Sequence, residues 1–313
     1  MENGHAVPLL KKWLIAFRPW ALPASTMPVV FGTSLALVTG KAHLHPGPFL
    51  LALAGMIVLH TAANMLSDVF DFGRGLDRDI TPVSGAIVRG WLRARQVAAG
   101  SALLFVIGAA IGLYLVSVTG RTLLIIGAVG LPVGLFYTVL KYHALGDLAV
   151  FLNFGLLGSL GAWVVQTRRF SWIPVIWTVP MAMLVVAILH ANNWRDSISD
   201  RERRVTTVAA LLGDRGSLVY YGFLLFGSSA IIVGLIFIPG LVSSRLPAMP
   251  LTFLVVLLAF PRALILWGRA RRRHAPRQPM DFVILDGATA NYNLIFGLLC
   301  IAAVWLDLVV SKF

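Results

Sequence analysis

Residues 47–73 read GPFLLALAGMIVLHTAANMLSDVFDFG, and this stretch decides the fold class. Its first five turns are almost wholly apolar, enough for one helix to cross about 30 Å of hydrocarbon. Its last turns carry His60, Asn64, Asp68 and Asp71, which at about 100° per residue fall within an arc of roughly 80° on one helical face. Carboxylates at the membrane end of a helix are costly unless paired or bound to metal, so the stripe calls for a cause. A second stretch, LHANNWRDSISDRE at residues 189–202, ends the same way. There His190, Asn193, Asp196 and Asp200 fall within roughly 120°. Two such stripes facing each other would enclose an acidic cavity at one membrane surface.

The rest of the chain extends the pattern. Of its 313 residues 58% are hydrophobic and 12% charged, with a mean hydropathy of +0.84. Water-soluble domains are nearer one quarter charged. Apolar runs recur near residues 20–39, 47–66, 97–118, 122–140, 147–166, 173–192, 218–238, 249–266 and 284–306. They do not alternate as the strands of a membrane barrel do. The expected fold is therefore an all-α integral membrane protein of about nine transmembrane helices around a central cavity. It forms a single membrane-embedded domain over 1–313, with caps over about 67–95 and 193–216.

A formal charge of +13 raises the possibility of nucleic acid, but its placement argues against it. With nine spans and the N-terminus inside, twenty Lys and Arg fall on the cytoplasmic side and six on the other, as the positive-inside rule requires. Both acidic motifs then face the cytoplasm, in a multi-pass protein of the cell inner or plasma membrane. The basic stretch WGRARRRHAPRQPMD reads as an orientation signal in contact with anionic lipid. Cys300 is the single cysteine, which excludes an internal disulfide and a cysteine metal site. The N-terminal MENGHAVPLLKKWLIAFRPW lacks the order of a removable signal peptide, and none is expected.

Seven of the thirteen acids (Asp68, Asp71, Asp77, Asp79, Asp196, Asp200 and Glu202) lie in the two motif regions, so the clustering needs explaining. One explanation is plain pairing with Arg74, Arg78, Arg195 and Arg201. The other is a divalent cation. Hard oxygen ligands from two helices suit Mg²⁺, which takes a few carboxylates together with substrate phosphates. Nearby Arg and Lys would hold the remaining diphosphate oxygens. Acids for metal and bases for phosphate, set above an apolar cavity, describe an amphiphilic diphosphate substrate.

At these residues the chain resembles the UbiA superfamily of intramembrane prenyltransferases, from about Arg18 to Asn291. NMLSDVFDFGRGLD and NNWRDSISDRE are similar to the forms of its menaquinone-pathway branch. RPWALPASTMPVVFG, LKYHALGDLAVFLNFG and the VQT ending at Thr167 are further similar blocks. The resemblance implies that Asn64, Asp68, Asp71, Asp196 and Asp200 hold Mg²⁺ and that Asp77 supports the first cap. It implies diphosphate contacts from Arg195, Arg201 and Lys141, with Arg18, Arg74 and Asn193 beside them; a helix-end role is an equal reading for Arg18. Tyr137 and Tyr142 face either an allylic cation or the membrane interface. His60 and His190 are expected to pack beneath the acids rather than act as bases. The implied reaction is Mg²⁺-dependent transfer of a polyprenyl group from polyprenyl diphosphate to an aromatic acceptor, 1,4-dihydroxy-2-naphthoate for this branch. Two departures stand out: Ser67 occupies a position that is Asn in much of the family, and Arg203–Thr207 replaces the usual Gly-Lys-x-Thr.

Three rivals are weaker. A secondary transporter would place its acids near mid-membrane on broken helices. A phosphatidyl-group transferase would carry one compact Asp-Gly-x-x-Ala-Arg signature, which this sequence lacks. A degenerate homologue binding isoprenoid without turnover would not be expected to retain the full Asp set.

Overall fold

In lipid a backbone N–H or C=O finds no water, so each apolar run must close its hydrogen bonds on itself. The computed structural model of the chain describes residues 7–76, 85–242, 247–272 and 283–311, and these are helical almost throughout. An amphipathic α1 (Leu9–Phe17) ends at Arg18, whose left-handed backbone (φ 50°) turns the chain into α2 (Pro23–Val38). The long α3 (Pro46–Gly73), α4 (Ala94–Thr119) and shorter α5 (Arg121–Leu135) follow. Two one-turn helices, α6 (Tyr137–Lys141) and α7 (Gly146–Val150), then lead through a π-helical segment, Phe151–Leu157, into α8 (Gly158–Thr167). After α9 (Trp172–Trp177) come α10 (Val179–Glu202) and α11 (Val208–Val242). A 3-10 run over Leu251–Ala259 precedes α12 (Phe260–Arg271), and α13 (Val283–Val310) closes the chain. Among the described residues the only extended pairing is an isolated bridge between His143 and Thr206.

Helix α3 packs along α4, α2 along α8, and α10 along α11, while α13 fits between α2 and α10. Where lipid replaces water there is little hydrophobic drive between helices, and close approach depends on small residues. A Cβ on Gly32 would collide with the Ser159 backbone, and one on Gly155 with the Cβ of Ala182. The outer surface is correspondingly greasy: Leu103, Val106, Leu113, Val219, Phe223 and Leu258 are all exposed. On the side away from the acids, Gln166 closes the turn before α3. Its Oε1 accepts from the His45 N–H at 2.8 Å and its Nε2 donates to the His45 carbonyl. This gives the VQT block a structural role.

The described helices bear on two expectations. Among the described residues, six helices are long and apolar enough to cross a membrane. They become seven if Leu9–Ala21 and Pro23–Val38, bent by 53°, count as one. Helix α5 is shorter, and the 24 residues of α10 end in the charged NNWRDSISDRE, which lowers their hydropathy. Within the stretches expected as caps, 67–95 and 193–216, part of the chain is helical. Helix α3 continues to Gly73, α10 to Glu202, and α11 begins at Val208. Apolarity ends where the acids begin, whereas the helical hydrogen bonds do not. Asp68, Asp71, Asp196 and Asp200 therefore lie on the final turns of helices, which fixes their side chains more firmly than a loop would.

Candidate active site

The end of α3 supplies the first pair of acids, both buried. The Arg18 guanidinium, brought over by the turn after α1, donates through Nη2 to Asp68 Oδ1 at 2.5 Å. Asp71 is held from three directions. Lys141 Nζ donates at 3.0 and 3.2 Å, Tyr142 Oη at 2.7 Å, and Ser67 Oγ at 3.2 Å. Ser67, a departure from the family pattern, thus serves the motif's own second acid. Burial, then the adjacent Asp71 carboxylate, pushes the Tyr142 phenol well above its usual range, so it remains a donor. The Arg74 guanidinium lies 4.3 Å over the Tyr142 ring. A Cβ on Gly85 would sit 2.9 Å from Asp68 Oδ2, so the chain returning after the first cap closes directly over this carboxylate.

The end of α10 supplies the second pair. Arg195 grips Asp196 through Nε and Nη2, each at 2.9 Å, and gives Nη1 to Asp286 of α13 at 2.7 Å. Asp200 is buried, accepts weakly from Thr207 Oγ1 at 3.4 Å, and lies within the field of Lys141. Lys141 therefore sits between the two motifs, bonded to Asp71 and facing Asp200. The turn that carries it is tied to the end of α10: the Ala144 N–H donates to Thr206 O, and the Thr206 N–H to Tyr142 O. Tyr137 stands within the fields of Lys141, Asp71 and Asp147.

The remaining expected residues divide. Asn193 is buried on the inward face of α10. Asn64, one turn before Asp68, has a buried Nδ2 with no hydrogen-bond partner. Arg201 turns to the carbonyl of Ala210 at the start of α11, so it binds protein backbone. Arg203 and Arg204 are exposed. Asp77 lies outside the described residues. His60 packs as expected, 2.7 Å from Ser25 Oγ and with its ring 4.4 Å from that of Phe154. Asp286 is absent from the expected set; a lone Asp opening the last apolar run carries no pattern that marks it as the partner of Arg195.

Below the first motif lies an apolar cavity of about 360 Å³, walled by α2, α3, α4, α5, the π-helical segment and α8. Asn153 is the one side chain with a hydrogen-bonding group in its lining, and its rim reaches the outer surface at Leu113 and Leu124.

No three of the His, Cys, Asp and Glu side chains among the described residues come together closely enough to hold an ion directly. Each acid is held instead by a cation or a hydroxyl. The donor chemistry nevertheless fits a hard cation with a phosphate: carboxylate oxygens from two helices, an amide, and Lys and Arg interleaved among them. The unsatisfied Asn64 Nδ2 is the kind of buried donor a phosphate oxygen would complete.

Residues 25–285 match the sequence profile of the UbiA prenyltransferase family. The chain belongs to that family. A UbiA prenyltransferase domain-containing protein 1 homolog of Drosophila melanogaster is 33% identical over 302 residues, covering 94% of this chain and 79% of its relative. Two archaeal UbiA homologues share the fold. The apo structure from Aeropyrum pernix K1 aligns with a TM-score of 0.65 at 17% identity over 91% of this chain and 97% of that one. A structure from Archaeoglobus fulgidus bound to DMAPP and Mg²⁺ aligns with a TM-score of 0.62 at 14% identity, covering 93% and 99%. The matched stretch spans both motifs.

Proposed function

We propose that this UbiA-family protein transfers a polyprenyl group from polyprenyl diphosphate to an electron-rich aromatic ring, 1,4-dihydroxy-2-naphthoate in menaquinone biosynthesis. The observation that carries the reading is Lys141, bonded to Asp71 of one motif and within the field of Asp200 of the other, with an apolar cavity below the first motif. That arrangement suits a charged head with a long greasy tail. The Archaeoglobus relative's DMAPP and Mg²⁺ support the donor class, and the likeness of NNWRDSISDRE to the menaquinone branch supports the acceptor. In the membrane, the six long helices, the bent α1–α2 pair, α5 extended by α6, and α10 make nine crossings. Both motifs then face the cytoplasm.

In this reading Asn64, Asp68, Asp71, Asp196 and Asp200 hold Mg²⁺, which when bound neutralises charge on the diphosphate. Lys141 and Arg195 exchange carboxylate for phosphate oxygens, stabilising the charge that grows as the C1–O bond breaks. Arg18, Arg74 and Asn193 stand beside them as further diphosphate contacts. Tyr137 and Tyr142 present ring faces to the allylic cation. The apolar cavity excludes water, which would otherwise capture that cation.

Purified protein given Mg²⁺, a polyprenyl diphosphate and a panel of acceptors is expected to prenylate the dihydroxynaphthoate. The panel includes other arenols and glyceryl phosphate. Chelation should stop turnover without lowering the unfolding temperature, because each acid already has a partner from the protein. Prenylation of glyceryl phosphate alone would reassign the acceptor. No product with any acceptor, together with donor binding unaffected in Asp68→Ala and Asp196→Ala, would overturn the site.

A further inference from the structure

Helices α10 and α7 carry between them a polar pair that the steps above leave unused. His190 is fully buried. Its Nε2 lies 3.3 Å from the Ser217 carbonyl, which can only accept, so Nε2 carries the hydrogen. In the neutral ring Nδ1 is then a bare lone pair. It faces Asp147 Oδ2 of α7 at 3.8 Å. Asp147 is 5% exposed, and both its carboxylate oxygens, like His190 Nδ1, are buried without a well-formed hydrogen bond. Tyr220 closes one side, its ring edge-on to His190 with centroids 4.8 Å apart and its hydroxyl a loose hydrogen-bond donor to Asp147.

With Asp147 ionised and the imidazole neutral, the two acceptors repel, and burial strengthens the repulsion. One added proton turns the contact into an attraction. Structural groups are normally satisfied when buried this deeply, so an Asp147 oxygen and a bare His190 nitrogen that face each other with no bond between them mark a place that receives something. Six residues of helix separate His190 from Asp196, about 9 Å along the axis. With the diphosphate head at the acids, that is the level of the ring about to be prenylated. The face of α10 that bears His190 also bears Asn193 and Asp200, and Tyr137 lies within the fields of both Lys141 and Asp147.

We propose that Asp147 and His190 form the proton-accepting pair of the reaction and bind the acceptor through its hydroxyl. This deepens the aromatic-prenylation reading and rests on it. The C1–O bond of the donor breaks with its electron pair leaving on the diphosphate. Ring π electrons form the new C–C bond, the acceptor's O–H pair becomes the C=O π bond, and the proton passes into the Asp147–His190 gap. Loss of CO₂ from the keto intermediate then leaves an aryloxide that takes the proton back. An acceptor with ring C–H at that carbon instead tautomerises to the arenol, and the pair keeps one proton for export.

Asp147→Asn is the decisive variant, because its amide can donate to His190 Nδ1 in the same shape and so fills the gap permanently. The expected result is a fall in kcat of at least ~100-fold, the usual scale for a lost general base. Affinity for an unreactive prenyl thiodiphosphate with Mg²⁺, and slow acceptor-free diphosphate release, should stay at the wild-type level. His190→Gln is the second arm, and decides in the same way if Asp147→Asn is not recovered folded. Acceptor turnover within about threefold of wild type overturns the pair's role. So does a parallel loss of thiodiphosphate binding, which would make Asp147 a packing residue. A wild-type protein that releases diphosphate but prenylates no arenol overturns the reaction assignment and the pair with it, and is seen before any variant is made.

Discussion

The ends of α3 and α10 carry similar stripes of His, Asn and two Asp, yet the protein holds them differently. On α3 each acid is clasped by a cation from a distant element: Asp68 by Arg18, and Asp71 by Lys141 with Tyr142. On α10 the first acid is held by its own chain neighbour, since Arg195 folds back onto Asp196, which is 35% exposed. The second, Asp200, has only a long hydroxyl bond and the field of Lys141. The first stripe is thus part of the framework that joins α1, α3 and α6, whereas the second is anchored more loosely. A likeness in sequence does not fix how much of each motif is committed to the fold.

The difference should show most plainly in paired variants. Asp71→Asn leaves the largely buried Lys141 ammonium without its counter-charge, a change that typically costs about 3–5 kcal/mol, and turnover should be lost as well. Asp196→Asn should also abolish turnover, while the unfolding temperature barely moves because Asp286 still holds Arg195. Tryptophan fluorescence during heating in detergent, read beside prenyl transfer, tests both; equal destabilisation would erase the contrast. Tyr142→Phe probes one strand of the α3 clasp. Losing a hydrogen bond to an ionised carboxylate should cost about 1.5–3 kcal/mol, with turnover reduced less than by Asp71→Asn. The smallest effect concerns the end of α10. Arg204 has a left-handed backbone (φ 58°) where the family pattern is Gly-Lys, and its side chain is exposed. Arg204→Gly should stabilise the protein by about 0.5–1 kcal/mol, and no change in the melting midpoint would show that the turn carries no strain.

Helix phasing alone makes the two stripes legible, because His60, Asn64, Asp68 and Asp71 repeat at helical spacing. Lys141 is visible through its similar block. What a linear sequence does not carry is partnership across distance. Asp286 and Arg195 are 91 residues apart and meet only because α13 packs on α10. The turn of Arg201 toward Ala210 likewise depends on how α11 leaves the chain after Thr207. Hydropathy misplaces the helix ends for a related reason: it reports where a helix stops being greasy, and the acids of α3 and α10 sit on turns that remain helical. Asp147 falls within a family block, but nothing in a lone Asp reveals that it will face a histidine lone pair.

The cavity beneath the acids opens at Leu113 and Leu124, on the surface that meets lipid. A donor whose tail enters there never dissolves in water on its way to the site. The encounter is a two-dimensional search, and the meaningful substrate concentration is a mole fraction of the bilayer. Doubling the lipid at fixed substrate should therefore slow an unsaturated reaction as diluting a buffer would for a soluble enzyme.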